Sequence, residues 1–289
     1  MSFGEPFIAV DWGTTNRRVL VIEDGALVET RRDDRGVTAV TDFATEVAAI
    51  RSSLGDRPML LAGMVGANIG WRLAPYVPTP AGLDDLAANL LWMDARTAIV
   101  PGVASAAGER ADVMRGEEVQ FLGAVEAGLV PADGLLVQPG THAKWGQVRN
   151  GRIAGFTTAM SGELFALLRR HGLLAAQLGA EVTAGHAFLA GVEEGKRRDL
   201  AASLFGIRAA GLLDRRSDAE AASYASGLLI GSEVAARLDG TPPDTVHVIA
   251  DAALGDLYAL AIRANGTRAH VVDSQAAFLA GIIALGARI

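Results

Sequence analysis

The chain has 289 residues, half of them apolar and a fifth charged, which is enough for one large domain or two smaller ones and excludes a disordered protein. The formal net charge is −7 and the basic residues are scattered, so a nucleic-acid partner is not expected. Cysteine is absent, which excludes disulfides, thiolate nucleophiles and cysteine-bound zinc.

Neither a targeting segment nor a membrane span is indicated. Residues 1–6 lack a basic stretch followed by an apolar one, and no apolar run approaches the length that crosses a bilayer. The sequence also has no G-x-x-x-x-G-K-[ST] loop and no H-E-x-x-H motif, so P-loop NTPases and zinc hydrolases are disfavoured. We expect a cytoplasmic protein without a membrane partner.

The first half begins with three short strands joined by tight turns. Apolar runs and turn residues predict, in chain order, strands over 7–10, 18–22 and 26–30, a helix over 42–54, and strands over 59–62 and 98–100. The turn between the second and third strands is Asp24-Gly25, a sequence typical of two-residue hairpins.

The second half repeats this syntax. It predicts strands over 135–137, 145–148 and 153–157, helical segments through 164–168 and 224–238, strands over 245–250 and 269–272, and a closing helix over 274–286. Gly140-Thr141 echoes Gly13-Thr14, and Asn150-Gly151 echoes Asp24-Gly25. We therefore predict an α/β protein with two similar domains facing one another, whose Gly-Thr turns line a shared cleft.

The first of these turns has the chemistry of a triphosphate site. Gly13 lets the backbone approach phosphate oxygens, and Thr14, Thr15 and Asn16 offer hydrogen-bond donors. Asp11 can hold Mg²⁺ directly or through water. The alternative is an ordinary hairpin whose Asp and Thr side chains satisfy their own backbone. The echo at Gly140-Thr141 favours phosphate binding.

Four blocks resemble the 2-dehydro-3-deoxygalactonokinase family, which belongs to the sugar kinase, Hsp70 and actin superfamily. They span nearly the whole chain in the family's order, and together they are specific where one alone would be weak. The blocks are Asp11-Trp12-Gly13-Thr14-Thr15-Asn16 with Arg18; residues 62–71, AGMVGANIGW; Met114-Arg115-Gly116-Glu117-Glu118; and Pro139-Gly140-Thr141-His142-Ala143-Lys144-Trp145.

The resemblance implies two RNase H-like domains of the actin-like ATPase and hexokinase type, around an interdomain cleft. The N-terminal domain, 1–130, is expected to carry the first phosphate loop and the sugar-acid pocket, and the C-terminal domain, 131–289, the second phosphate loop and the adenosine site. The last helix, 274–289, either stays with the second domain or packs at the hinge.

The implied reaction is transfer of the γ-phosphate of ATP to the 6-hydroxyl of 2-dehydro-3-deoxy-D-galactonate, with Mg²⁺, in galactonate or galactose breakdown. The partners are thus ATP and a small sugar acid, and a homodimer is one option for the assembly. Two alternatives stay open. One is a kinase of the same fold for another small sugar or sugar acid, and the other is a nucleotide-dependent binding module like actin or Hsp70.

The resemblance places the second phosphate loop at Gly140, Thr141, His142 and Lys144. Thr141 and His142 are expected to donate to the β- and γ-phosphates, and Lys144 to add positive charge. For Lys144 the alternative is a solvated residue on a hairpin. Ser161-Gly162-Glu163 also resembles a family block, but it reads equally well as a helix cap, so we assign it no role.

The implied catalytic base stands at the head of a helix shortly before the second phosphate loop. Glu117 is the first choice and Glu118 the reserve, because a helix N-terminus favours the ionised carboxylate that such a base requires. The alternative is that both glutamates merely cap the helix. The family more widely has Asp at the comparable point.

An anionic acceptor calls for an arginine fork or several backbone amides. We expect Arg18 first, then Arg115, with Arg72 as a further candidate. Met64, Gly66, Asn68 and Trp71 belong to the same predicted pocket, Asn68 for hydroxyl groups and Trp71 for a sugar face; Trp71 could equally be a core anchor. On the adenine side, Ala253 is the expected contact, although Asp251-Ala252 departs from the small turn usual in the superfamily.

Overall fold

The computed structural model describes residues 6–105 and 110–289. This part of the chain divides into two compact units. The first comprises the described residues of Met1–Asp133 with Gly146–Phe156 and Ser274–Ile289, and the second comprises Gly134–Trp145 and Thr157–Asp273. A search of the described residues finds no helix that is long and apolar enough to span a membrane.

The elements alternate along the chain. The strands are β1 (Phe7–Trp12), β2 (Arg17–Glu23), β3 (Ala26–Asp33), β4 (Met59–Gly63), β5 (Tyr76–Pro78), β6 (Leu91–Asp94), β7 (Thr97–Ile99), β8 (Gly102–Ser105), β9 (Asp112–Met114), β10 (Gly134–Gln138), β11 (Ala143–Arg149), β12 (Arg152–Ala159), β13 (Thr245–Ala250) and β14 (Arg268–Asp273). The helices are α1 (Phe43–Leu54), α2 (Leu83–Ala88), α3 (Glu117–Glu126), α4 (Ser161–Arg170), α5 (His186–Gly195), α6 (Leu200–Leu212), α7 (Asp218–Arg237), α8 (Ala252–Ala264) and α9 (Ser274–Gly286), with 3₁₀ turns at Val37–Ala39 and Met64–Gly66.

The main sheet of the first unit has the strand order β3-β2-β1-β4-β7-β6. Strands β1, β2 and β3 are antiparallel neighbours, and β4 joins β1 in parallel. The predicted turn before β3 is confirmed, because Asp24 and Gly25 have φ values of 49° and 69°, the left-handed pair that a type I′ hairpin requires. Because β1 and β4 run parallel as neighbours, their carboxyl ends lie side by side.

The sheet that runs through the second unit has the order β12-β11-β10-β13-β14, with β10, β13 and β14 parallel. The division between the units falls within β11 and β12. Asn150 and Gly151 repeat the left-handed turn, at φ values of 49° and 71°. Each sheet begins with three strands that are consecutive in the sequence, β3-β2-β1 or β12-β11-β10, and continues with two parallel strands, β4 and β7 or β13 and β14. The first sheet ends with β6, which is antiparallel to β7. The shared order confirms the repeated strand pattern and the α/β class.

The core of the first unit forms between its main sheet, β3-β2-β1-β4-β7-β6, and α1. Asp42 caps α1 by accepting a hydrogen bond from the backbone N–H of Thr45 at 3.1 Å, which satisfies one of the unpaired donors at the helix start. Val47 and Ile50 of α1 are buried against the apolar side chains of β1 and β4. The sheet end that carries Asp11 is thus fixed by a packed core.

Small residues let helices approach closely in the second unit. A Cβ on Gly191 of α5 would lie 2.8 Å from the backbone nitrogen of Leu228, and one on Gly227 of α7 would lie 2.9 Å from the carbonyl carbon of Phe188. Neither distance is tolerable, so the α5–α7 crossing requires glycine on both helices.

Several elements escape sequence prediction. The small sheet β5-β8-β9 consists of short strands without a clear alternation, and α2 has only six residues. The closing helix α9 falls within the first unit. The two RNase H-like domains with bounds 1–130 and 131–289, and the cleft between them, stay predictions.

Candidate active site

The first predicted phosphate loop, residues 13–16, follows β1 in the first unit. Within the loop, the backbone N–H of Gly13 donates to the carbonyl of Asn16 at 2.9 Å. The segment 36–38 holds the other carbonyls, through Gly36 N to Thr15 O (3.2 Å), Val37 N to Gly13 O (3.0 Å) and Thr38 N to Thr14 O (3.2 Å). The loop is therefore held in place through its carbonyl groups, and the N–H groups of Thr14 and Thr15 remain as donors.

Those donors are the feature that fits an oxyanion. The backbone N–H groups of Thr14 and Thr15 have no acceptor within the part of the chain that the structure describes, and both residues are exposed. Gly36 makes this arrangement possible, because a Cβ there would strike the carbonyl of Thr14. Sequence reasoning missed Gly36, which stands in a charged run with no motif to mark it.

Asp11 lies near the end of β1, two residues before Gly13. Its Oδ2 accepts a hydrogen bond from Nη2 of Arg18 on β2 at 3.1 Å. Burial raises the pKa of Asp11 above its ordinary value, and the Arg18 and Arg32 guanidinium groups oppose this rise. The two guanidinium groups favour the ionised form of this carboxylate, which is the form that a divalent metal ion would bind.

A cavity of about 490 Å³ opens beside Asp11. It is lined by Asp11, Gly13, Asn16, Arg17, Arg18, Arg32 and Asp33. The structure thus brings together the predicted metal ligand, two members of the predicted phosphate loop and the arginine that was our first choice for the sugar acid.

The two candidate bases begin helix α3. Gly116 precedes them at a φ of 105°, and a Cβ on it would lie 3.3 Å from the Cα of Gly63 at the end of β4. Gly63 is the register partner of Trp12 on β1. The head of α3 therefore stands at the same sheet end as Asp11, as a base acting near the first phosphate loop requires.

The two carboxyl groups have different surroundings. Glu118 is fully buried and accepts from the backbone N–H of Gly116 at 2.7 Å. Burial raises its pKa from the ordinary 4.5 to about 8, and the neighbouring Glu117 carboxylate adds to the rise. Glu117 is half-buried and accepts from the backbone N–H of Arg115 at 3.0 Å. At neutral pH Glu118 is therefore mostly protonated.

Arg115 is buried instead of projecting into the 490 Å³ cavity. Its Nη2 donates to the carbonyl of Ala74 at 2.8 Å, and its guanidinium stacks 4.4 Å from the ring centroid of Tyr76. A Cβ on Gly66 would lie 2.8 Å from Nη1, so Gly66 makes room for this side chain. Nε and Nη1 have no hydrogen-bond partner among the described residues.

The remaining residues of the predicted sugar-acid pocket are spread over the 64–72 segment. Met64 and Trp71 pack as half-buried side chains against the core of the first unit, which favours the core interpretation of Trp71. Asn68 and Arg72 are exposed. Among the described residues, none of these four lines the 490 Å³ cavity.

The second predicted phosphate loop lies in the second unit, against the start of α4. The backbone N–H of Glu163 donates to the carbonyl of Thr141 at 2.9 Å, and a Cβ on Gly162 would lie 2.9 Å from the Cα of Thr141. Ser161-Gly162-Glu163, to which the sequence assigned no role, therefore shapes this loop.

Two side chains of the loop already have partners. Nε2 of His142 lies 2.5 Å from Oε2 of Glu163, with both groups partly exposed. Nζ of Lys144 donates to Oγ1 of Thr158 at 2.9 Å, and Lys144 is buried. The solvated alternative for Lys144 does not describe its position, and its charge stands behind the loop.

The adenine side has a simple local explanation. Asp251 caps α8, because its side chain accepts from the backbone N–H of Leu254 at 3.2 Å. This accounts for the departure from a small turn without a ligand. Ala253 is exposed in the first turn of α8. A mainly apolar cavity of about 80 Å³ lies nearby, lined by Gly140, Ser161, Gly162, Phe165, Ser226, Leu229, Ile230, Leu254 and Tyr258.

No cluster of three or more His, Asp or Glu side chains that could hold a metal occurs in residues 6–105 and 110–289. Asp11 is instead a single carboxylate beside phosphate-binding donors. Magnesium sites that use one or two carboxylates and complete their ligands with substrate phosphates and water have this form. The donor set fits a metal that arrives with a nucleotide.

A family model described as 2-keto-3-deoxy-galactonokinase matches residues 11–285. The chain is 37% identical over 294 residues to a probable 2-dehydro-3-deoxygalactonokinase of Rhizobium meliloti (strain 1021), with 96% of this chain and 95% of the relative covered. It is 35% identical over 282 residues to the 2-dehydro-3-deoxygalactonokinase of Escherichia coli (strain K12), with 96% of each covered.

Solved structures give the same result. A protein from Sinorhizobium meliloti described as a candidate 2-dehydro-3-deoxygalactonokinase is similar with a TM-score of 0.91 and 35% identity, over 96% of this chain and 97% of that chain. The activator of the 2-hydroxyisocaproyl-CoA dehydratase from Clostridium difficile, solved with bound ADPNP, is similar with a TM-score of 0.51 and 12% identity, over 98% and 94%. The second likeness shows the fold alone.

Proposed function

The chain belongs to the 2-keto-3-deoxy-galactonokinase family, and on that premise we propose that it transfers the γ-phosphate of ATP to the 6-hydroxyl of 2-dehydro-3-deoxy-D-galactonate. It is a phosphotransferase with an alcohol acceptor, in an α/β fold of the actin-like ATPase and sugar-kinase type. The full-length match to relatives of one named activity is the observation that carries the proposal. A cytoplasmic location, where ATP is available, is part of it.

The nucleotide is proposed to meet the first unit at residues 13–16. The N–H groups of Thr14 and Thr15 would donate to phosphate oxygens, and Asp11 would hold Mg²⁺. When bound, ATP would supply the phosphoryl group, and Mg²⁺ would offset the charge that develops during transfer. Arg18 and Arg32 line the same cavity, and their positive charges would favour an anion there.

Glu117 is proposed as the residue that takes the proton of the acceptor hydroxyl. It stands at the positive end of α3, where the helix dipole stabilises an ionised carboxylate. Burial raises the pKa of Glu118 to about 8, so the protonated form of Glu118 predominates at neutral pH and Glu117 is the better-placed acceptor. The carboxyl of Glu118 instead holds the N–H of Gly116, which fixes the turn from which Glu117 projects.

In the second unit, Gly140, Thr141 and His142 are proposed to close on the β- and γ-phosphates, and Ala253 to lie on the adenosine side. Support comes from the start of α4, which braces the loop through Glu163 and Gly162. Nε2 of His142 is engaged by the Glu163 carboxylate, and Nδ1 is the second ring nitrogen, which donates to a phosphate oxygen when it carries a proton.

The test is a coupled assay of ADP release with the full chain, ATP and Mg²⁺, across a panel of acceptors. We expect turnover with 2-dehydro-3-deoxy-D-galactonate and a product phosphorylated at the terminal hydroxyl by ³¹P NMR. Turnover on a neutral hexose but on no keto-deoxy acid would show that the protein is a kinase with a different acceptor from the one proposed. Slow ATP hydrolysis whose rate no acceptor changes would contradict a kinase and would favour a nucleotide-dependent binding module.

A further inference from the structure

Three adjacent strands of the first unit place three charged residues in one row. Asp11 on β1 is the register partner of Arg18 on β2, and Arg18 is in turn the register partner of Arg32 on β3. Residues directly opposite one another in an antiparallel pair project from the same face of the sheet, with Cβ atoms about 5 Å apart. The row therefore contains two guanidinium groups and one carboxylate.

The carboxylate is already committed to one of them. Asp11 accepts from Arg18 at 3.1 Å, whereas Arg32 has no carboxylate within ion-pair distance in the described part of the chain, although its charge acts on Asp11. Arg32 is exposed to the 490 Å³ cavity that it lines. Like charges directly opposite on a sheet repel each other, and the two guanidinium groups of this pair share a single carboxylate, Asp11.

The neighbouring residues do not supply a second, unpaired carboxylate. Asp33, which follows Arg32, is bound to the buried Arg17 at 2.6 Å, and Arg17 is bound to Glu46 at 2.8 Å. Arg31, which precedes it, is paired with Glu29 at 2.6 Å. Alternation along β3 directs the side chain of Arg31 to the face opposite that of Arg32. Asp33 borders the same cavity as Arg32, but its carboxylate is engaged by Arg17.

We infer that Arg18 and Arg32 together form an oxyanion subsite in the cavity beside Asp11. Two guanidinium forks facing one cavity match the paired acceptor oxygens of a carboxylate or a phosphate. The subsite is adjacent to residues 13–16, whose N–H groups serve a phosphate independently, so the carboxylate of the sugar acid is the favoured occupant. This identification of the ligand rests on the proposed function.

Arg32 was not a candidate from the sequence. It stands in the run Thr30-Arg31-Arg32-Asp33-Asp34-Arg35, which is typical of a solvated edge strand. Only the strand register separates it from its neighbours, since register decides which arginine shares a face with Asp11.

The test compares Arg32→Gln and Arg32→Lys with Arg31→Gln, a matched control one residue away on the opposite face. KM is measured separately for the sugar acid and for ATP. Loss of a charge-assisted hydrogen bond predicts a rise of about 10- to 100-fold in one KM for Arg32→Gln, a smaller rise for Arg32→Lys, and no change for Arg31→Gln. A rise confined to the acid identifies the carboxylate as occupant, and a rise confined to ATP identifies the phosphate.

Unchanged KM values in Arg32→Gln, beside an active wild type, overturn the subsite while the kinase assignment stands. If the wild type turns over no acceptor, the proposed function fails, and the subsite is then tested by thermal protection with inorganic phosphate and with the keto-deoxy acid. Protection of the wild type and of Arg31→Gln but not of Arg32→Gln supports it. Equal protection, or none, of all three proteins overturns it.

Discussion

Gly123 of α3 and Gly281 of α9 touch where the two helices cross. A Cβ on Gly123 would lie 2.6 Å from the Cα of Gly281, and a Cβ on Gly281 would lie 3.0 Å from the carbonyl carbon of Val119. Helix α3 carries Glu117 at its start, so this contact sets the position of the candidate base within the first unit.

Replacing Gly281 by alanine is expected to destabilise the protein by about 1–3 kcal/mol, because the added methyl group meets backbone that cannot move aside. Urea unfolding followed by circular dichroism measures the change. Gly206→Ala in α6 is the control, since a Cβ there meets nothing within 4 Å, and alanine in a helix is expected to be neutral or slightly stabilising. Equal stability of Gly281→Ala and wild type would contradict the close crossing.

The crossing also shows where sequence reasoning stops. The apolar run of α9 predicted a closing helix with correct bounds, and the paired turns at Asp24-Gly25 and Asn150-Gly151 predicted the repeated hairpins, because both signals are local. Nothing local states that α9 belongs with the first unit. That depends on glycines more than 150 residues apart fitting one another.

Glu117→Gln is expected to lower kcat by about 10²- to 10⁴-fold, as loss of a general base does, with the KM for ATP nearly unchanged. Glu118→Gln should retain more activity, because Glu118 is already mostly neutral at pH 7. The control is Glu126→Gln at the exposed far end of α3, which should leave kcat unchanged. Near-normal turnover in Glu117→Gln with a large loss in Glu118→Gln would reverse the assignment.

Glu118 also predicts how stability depends on pH. Its pKa is about 8 in the folded chain and ordinarily 4.5, so between these values the folded state binds more protons than the unfolded one. The free energy of unfolding should therefore fall as pH rises from about 4.5 to about 8, by on the order of 4 kcal/mol relative to Glu118→Gln. Urea titrations at several pH values measure the difference; a difference that stays constant would show that Glu118 titrates normally.

The candidate site was predictable to the extent that its residues belong to contiguous motifs. Asp11, Gly13, Asn16 and Arg18 line one cavity, and their roles there stay predictions. Gly36 and Arg32 were missed because they reach the site through strand register and loop contacts that leave no motif. Arg115 belongs to a family-like block, yet its contacts are with Ala74 and Tyr76, which only the fold reveals.

Gly162→Ala is expected to displace the second phosphate loop, because its Cβ would strike the carbonyl of Gly140 and crowd Thr141. An overpacking cost of about 1–3 kcal/mol that falls on the bound loop corresponds to a rise of roughly tenfold in the KM for ATP. The KM for the acceptor should change little. Gly179→Ala, where a Cβ meets nothing within 4 Å, is the control, and an unaltered KM for ATP in Gly162→Ala would separate α4 from nucleotide binding.

A buried carboxylate, Glu233 of α7, joins three elements of the second unit. It accepts from Nε1 of Trp145 at 2.6 Å and from the hydroxyl of Tyr258 at 3.1 Å, and Ser161 at the head of α4 also donates to it. Burial raises its pKa. Glutamine offers one acceptor oxygen in place of two, and its NH₂ group can be satisfied only if a neighbouring hydroxyl turns to accept.

Glu233→Gln should therefore lower the free energy of unfolding by about 1–3 kcal/mol, although the two side chains have nearly the same shape. Tyr258→Phe removes one donor and should cost less, and the double variant should cost less than the sum of the two, because both changes break the same hydrogen bond. Since Ser161 begins the helix that braces the second phosphate loop, the KM for ATP should rise with the loss of stability. Additive effects in urea unfolding would mean that Glu233 and Tyr258 do not share a bond, and Glu233 would then contribute only as a buried polar group satisfied by Trp145.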